Sequence, residues 1–201
     1  MEKKKNLLIA LLLIWVAPSF AAKVDTLLIK SPSMNKEVQV VVVTPDAASG
    51  KKSVACPTIY LLHGYGGNAK TWIDIKPNLP QIADEKGIIF VCPDGKNSWY
   101  WDSPVNPSFR YETFISSELV KYIDEHYKTI ADRKGRAITG LSMGGHGAMW
   151  NAIRHKDTFG ASGSTSGGMD IRPFPKTGTW LNSWENMNRI RRYGIITPLS
   201  I

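Results

Sequence analysis

The chain has 201 residues, a formal net charge of +8 at pH 7, 43% hydrophobic and 21% charged residues, enough apolar content for one packed domain. Its basic residues are scattered as Lys51-Lys52, Arg133-Lys134 and Arg189 to Arg192. Without aromatic interleaving or a dense stripe they read as a solvated exterior, which argues against a nucleic-acid partner.

The chain opens with Lys3, Lys4 and Lys5, then an apolar run from Leu7 to Ala17, then Pro18 and Ser19-Phe20-Ala21 with small residues where a signal peptidase reads. This order predicts an export signal, cleaved after Ala21, and hence a secreted or periplasmic protein. The run is too short for a permanent membrane span, which needs about 20 apolar residues. The cleavage site holds no cysteine, so nothing there suggests a lipoprotein. Loss of residues 1–21 removes three lysines and Glu2, leaving a charge of +6 on 180 residues, so residues 22–201 are expected to form a single domain.

Val24 to Lys30 and Glu37 to Thr44 are β-rich and joined through Ser31-Pro32-Ser33, which predicts an antiparallel edge. Beyond the polar loop Pro45 to Ser53 the pattern changes. Thr58 to Leu62, Ile88 to Val91, Ala137 to Leu141 and Phe159 to Ser164 are short strand-like runs. Helical segments separate them at Leu79 to Lys86, Tyr111 to Tyr127 and Met143 to Arg154, the second with Ile115, Leu119, Tyr122, Ile123 and His126 on one face. Strands alternating with helices predict an α/β fold, a mostly parallel sheet with helices on both faces. The two cysteines, Cys56 and Cys92, then lie near opposite ends of adjacent parallel strands, about 20 Å apart at ~3.3 Å per residue. A disulfide tolerates about 7 Å between Cα atoms, so two buried thiols are expected.

Ligands of such sheets bind outside the carboxyl ends of the strands, where His63-Gly64, Pro93-Asp94-Gly95, Ser142 and Ser166-Gly167-Gly168 all fall. The segment Gly140-Leu141-Ser142-Met143-Gly144 is Gly-x-Ser-x-Gly between a strand and a helix. A serine there sits on a strained turn with its hydroxyl exposed, and a Cβ at position 140 or 144 would collide with the neighbouring strand and helix. Ser142 is therefore the candidate nucleophile. Leu61-Leu62-His63-Gly64-Tyr65-Gly66-Gly67 ends a strand in a glycine-rich loop. The backbone N–H of Tyr65 can then face the same point as that of Met143, giving two oxyanion donors. Trp99, Tyr100 and Trp101 beside Asp102 offer either a substrate wall or an apolar lid over the core. His63 is expected to hold the oxyanion loop, and His126 to pack.

Leu-Leu-His-Gly-Tyr-Gly-Gly, Pro-Asp-Gly, Tyr-Glu-Thr before a long helix, Gly-Leu-Ser-Met-Gly-Gly-His-Gly-Ala, Lys-Asp-Thr-Phe-Gly and Ser-Gly-Gly-Met-Asp occur in that order between about Val24 and Asp170. In this the chain resembles the esterase D family of α/β-hydrolases, which includes S-formylglutathione hydrolases, feruloyl and acetyl esterases and mycolyltransferases. The resemblance implies the α/β-hydrolase fold and a Ser-His-Asp esterase with Ser142 as nucleophile and the amides of Tyr65 and Met143 as oxyanion hole. It implies no metal or organic cofactor, and a small-molecule or polysaccharide-linked ester as substrate. The expected function is an exported carboxylesterase acting on acetyl, feruloyl or similar acyl groups through an acyl-serine. The alternatives are transfer of the acyl group to a sugar hydroxyl, or a non-catalytic carbohydrate-binding or inert fragment.

In that family the catalytic acid and histidine follow later strands, whereas this chain stops at Ile201. After Ser142 the remaining bases are His146 and His155 and the acids Asp157, Asp170 and Glu185. His146, one helical turn past the serine, should pack rather than reach Oγ, and His155 and Asp157 should lie on the surface at the far end of that helix. Asp170 is on the correct edge but has no histidine to orient. The reading is thus a C-terminally incomplete domain lacking its last strands, catalytic acid and histidine, and impaired in turnover. The codons permitted for Ile196 to Ile201 can, in another frame, encode Asn-Thr-Val-Ile-Asn, similar to a segment carried by family members, which points to a frameshift.

Overall fold

The structure, a computed structural model, describes residues 22–170. The leader, the tail and Glu185 lie outside the described residues.

Among the described residues six strands form one sheet: β1 (Lys23–Ser31), β2 (Lys36–Thr44), β3 (Thr58–Leu62), β4 (Ile89–Pro93), β5 (Arg136–Gly140) and β6 (Ala161–Ser162). Their spatial order is β1-β2-β4-β3-β5-β6. The β1–β2 and β2–β4 pairs are antiparallel, while β4, β3, β5 and β6 run parallel. The predicted antiparallel edge on a mostly parallel sheet is therefore present. β6 is shorter than the expected Phe159 to Ser164. Phe159 turns into the core, its ring edge-on to Tyr60 at 5.8 Å. Along the rest of the segment the amides of Gly160, Gly163 and Thr165 still donate to the carbonyls of Arg136, Ile138 and Gly140.

Among the described residues four helices, besides short 3-10 turns, flank the sheet: α1 (Thr71–Ile75), α2 (Leu79–Lys86), α3 and α4 (Met143–Arg154). α3 is continuous but not uniform, passing from an α-turn at Tyr111–Thr113 through a π-helical stretch at Phe114–Leu119 to α-helix at Val120–His126. The pleat sorts residues between two cores. Val40, Val42, Tyr60, Leu62, Ile89 and Val91 face the side covered by α3 and α4. Their neighbours Val41, Val43, Leu61, Phe90 and Cys92 face α2 and the segment before it. Period-2 alternation with both sets apolar is what a sheet buried on both faces requires.

Both cysteines are free and buried. Cys56 bridges to Thr129 just before β3, and Cys92 lies near the far end of β4. On α3, Ile115, Leu119 and Ile123 are buried as expected. His126 is not part of that packing: it is exposed and stacks on Tyr122 with centroids 4.0 Å apart.

Candidate active site

β5 ends at Gly140, and two residues later Ser142 sits at φ 54°, ψ −115°, immediately before α4. A serine at positive φ is strained, and the strain is sustained by its surroundings. The Ser142 amide donates to the Thr165 carbonyl at 2.8 Å, and the Gly144 amide to Leu141 at 2.8 Å. A Cβ on Gly140 would overlap the Gly144 carbonyl group, and one on Gly144 would overlap the backbone carbonyls of Leu62 and His63. α4 therefore leaves the turn pressed against the end of β3, and Ser142 is left exposed at the tip.

The glycine-rich loop lies against the same turn. A Cβ on Gly64 would stand 3.6 Å from the Ser142 Cβ. Within the loop the Gly67 amide donates to the Gly64 carbonyl at 3.0 Å, and the Gly66 amide to Asn97 Oδ1 at 2.8 Å. Among the described residues, the amides of Tyr65 and Met143 donate to no protein group. Met143 is also the first residue of α4, a 12-residue helix whose N-terminal end favours negative charge.

His63 ties this loop to the loop after β4. It is fully buried, Nε2 accepts from the Gly95 amide at 2.9 Å, and Nδ1 lies 2.7 Å from the Gly64 carbonyl. The two partners assign a neutral ring with its proton on Nδ1. Tyr100 adds a hydroxyl donated to the His63 carbonyl at 3.2 Å. Asp94 Oδ1 stands 3.6 Å from Nε2, while its other oxygen takes the Lys96 ammonium at 2.6 Å. Burial pushes the Asp94 carboxyl up, while the Lys96 amide and ammonium, which both donate to it, pull it down below the usual carboxylate range.

His146 does not reach Ser142. Its ring is buried beside Trp99, Trp101 and Trp150, with centroids 5.4, 5.0 and 6.2 Å away, and Nδ1 bonds the Gly168 carbonyl at 2.5 Å. Nε2 has no hydrogen-bond partner among the described residues. Burial lowers its pKa, only partly offset by the Gly168 carbonyl. The ring packs against indoles rather than against the sheet, because the segment 99–101 folds inward over α4. Trp99 and Tyr100 both adopt positive φ, 58° and 60°. Tyr100 is fully buried, so this segment belongs to the core as a lid.

His155 is not a free surface residue. Half-buried, it meets Glu112 Oε1 at 2.9 Å, where Arg154 Nε also donates at 2.6 Å, while Trp150 Nε1 donates to Oε2 at 2.7 Å. Asp157 and Asp170 are exposed. All four histidines of the chain are thus placed, each with ring partners other than Ser142. Among the described residues no group of histidine, cysteine, aspartate and glutamate could hold a metal ion, and no helix is long and apolar enough to cross a membrane. Asn97 and Tyr100, which fix the glycine-rich loop from another loop, carried no sequence signal beyond a turn and an aromatic cluster.

The Esterase family model matches residues 31–193. An esterase of Mycobacterium tuberculosis is 33% identical over 120 residues, covering 58% of this chain and 26% of that protein. The diacylglycerol acyltransferase/mycolyltransferase Ag85A of Mycobacterium leprae is 34% identical over 157 residues, covering 73% of this chain and 44% of its own length. Among solved structures, a ferulic acid esterase superposes with a TM-score of 0.68 at 32% identity, over 81% of this chain and 63% of that one. The strand order, the elbow and these neighbours are those of the α/β-hydrolase fold. The chain spans less than half the length of the two curated relatives and under two thirds of the solved one.

Proposed function

Because the chain belongs to the Esterase family, we propose that it is a serine carboxylesterase domain acting on small acyl esters, acetyl or feruloyl among them, through an acyl-Ser142 intermediate. The observation that carries this reading is the strained, exposed Ser142 beside two uncommitted amides. In the proposed step Ser142 Oγ attacks the ester carbonyl carbon and the carbonyl oxygen becomes an oxyanion held by the Tyr65 and Met143 amides. The oxyanion collapses, the C–O bond to the alcohol breaks, and the departing alkoxide takes the proton lost by Ser142; water then adds to the acyl carbon, the acyl–Oγ bond breaks, and a water proton returns to Oγ as the acid leaves. A preorganised donor of this kind is worth about 10²–10³ in rate.

A fast enzyme also needs a base on Ser142. His63 has both ring nitrogens engaged and His146 faces indoles, so neither supplies it. Loss of a triad base costs roughly 10⁶-fold in turnover. The 201-residue chain is therefore expected to hydrolyse p-nitrophenyl acetate at less than about a thousandth of the ~10 s⁻¹ median of enzymes. Any residual rate should vanish in Ser142→Ala. Fast turnover that disappears with Ser142→Ala would mean that His146 or His63 moves to act as base. Binding of polysaccharide with neither turnover nor acylation would favour a non-catalytic role.

The likeness to a mycolyltransferase supports a second reading, transfer of the acyl group to a sugar hydroxyl. Product analysis with and without an acceptor sugar separates the two. Export and removal of residues 1–21 belong to the same proposal, from the basic start, apolar run and small-residue site.

A further inference from the structure

Resting on the export reading, we propose that Asp84 is the docking site for the α-ammonium group of a processed chain that begins at Ala22. The nitrogen of Ala22 lies 2.7 Å from Asp84 Oδ2, across 62 positions of sequence. Ala22 is only 7% exposed, and it belongs to the same apolar cluster as Val41, Val43, Leu79 and Ala83. A small side chain is thus seated in the core at the residue that follows the cleavage site. Asp84 Oδ1 accepts the Asp46 amide at 2.8 Å, so this one carboxylate gathers the start of β1, the exit of β2 and the last turn of α2. Among the described residues no lysine, arginine or histidine lies in ion-pair range of Asp84, and the neighbouring cation Lys23 is paired instead with Asp25 at 3.0 Å. Asp84 is a half-buried carboxylate with two backbone donors and no cationic side chain.

Processing supplies that cation. A leader peptidase adds water across the Ala21–Ala22 amide: hydroxide goes to the Ala21 carbonyl carbon, the C–N bond breaks, and the nitrogen takes the proton. At neutral pH the new amine takes a second proton from solvent and becomes an ammonium. The neutral N–H at 2.7 Å from Asp84 becomes a cationic donor, so a bond with one charged partner becomes an ion pair. Removal of the leader therefore tightens the junction of three segments.

The test starts from the Met1–Ile201 chain exported by a bacterial host. N-terminal sequencing of the recovered protein should read Ala22 first; an intact Met1 or another start would overturn the export premise. With Ala22 established, acylation selective for α-amines near neutral pH should run at least about tenfold slower on the native protein than in urea. Equal rates would overturn the docking site while leaving export intact. Asp84→Asn should lower the melting temperature of the processed protein by about 2–4 °C, the shift expected for loss of one such pair. It should cost distinctly less in a chain whose cleavage is blocked by Ala21→Leu, and equal shifts in the two backgrounds would overturn the charge pairing. Should Asp84→Asn not fold, native labelling of the unsubstituted protein decides alone.

Discussion

At Ser142 the backbone is held at a φ of 54° by the Thr165 carbonyl in front and the carbonyl ends of β3 behind. The geometry presents the hydroxyl but does not deprotonate it. A fluorophosphonate probe should therefore label the folded chain slowly and at one residue; a modified peptide containing Ser164 or Ser166 instead would move the nucleophile elsewhere. Gly144→Ala puts a methyl group into the Leu62 carbonyl, and overpacking of that kind costs about 1–3 kcal/mol. Urea unfolding of that variant should show at least this loss. His146 gives a pH dependence of definite sign. Its folded pKa lies below the ordinary histidine value, chiefly through burial. As pH falls through about 6.5 the unfolded chain takes up a proton that the folded ring resists, so stability present above that pH is lost on acidification. Unfolding midpoints between pH 7 and 5 should fall less steeply in His146→Gln. The turn that carries Ser142 and the glycine-rich loop that carries Tyr65 are legible in the sequence because a strand, a glycine-rich turn and a helix are local patterns. The ring partners of His63 and His146 are not, because they come from Gly95, Gly168 and the indoles, brought in by the fold.

At the scale of elements, α3 shows what periodicity reads and what it misses. Ile115, Leu119 and Ile123 recur every four residues and mark the buried face, and the predicted helix spans the observed one. The π-helical stretch at Phe114–Leu119 leaves no trace in that spacing, since it alters the hydrogen-bond ladder rather than the order of apolar residues. Two carboxylates anchor the helix to different neighbours, Glu112 just before the stretch and Glu118 within it. Glu118 accepts from the Ser31 hydroxyl at 2.6 Å and the Ser33 amide at 2.8 Å in the β1–β2 turn. Glu112 takes Trp150 and Arg154 from α4 and His155 just after it. Burial would raise the Glu112 pKa, but Arg154, Trp150 and His155 together hold it below 4.5. Its contribution is thus present above the ordinary glutamate range and is lost as pH falls through the folded value. Glu112→Gln should cost about 1–3 kcal/mol, since hydrogen bonds to a charged group carry about that much. The loss should appear as a lower urea midpoint at pH 7 and shrink toward pH 3. The short α1, by contrast, gave no signal, because five residues, none buried, make no periodic face.

For the whole molecule, the mostly parallel sheet follows from short apolar runs separated by helices, and the reversal at β1–β2 from the tight Ser-Pro-Ser link, whereas the order β1-β2-β4-β3-β5-β6 is set by tertiary packing. β6 was over-read, because its ladder bonds continue past the two residues that hold strand geometry. The same architecture brings the ends of β3, β4 and β5 to one edge, where the glycine-rich loop, Asp94 and Ser142 meet.

The two thiols record the integrity of this sheet from opposite ends. Cys56 and Cys92 are both sealed, and burial raises both pKa values, the second far above the thiol range. Neither sulfur can exchange with an oxidant unless the strands beside it part, so burial shields both thiols once the fold has formed. The pair is also a built-in clock. Under native conditions, reaction of Cys92 with a thiol reagent times the opening of the β2–β4 end, and reaction of Cys56 times the fraying that frees Thr129. Equal rates would describe a sheet that opens as one body, unequal rates one that opens from an edge.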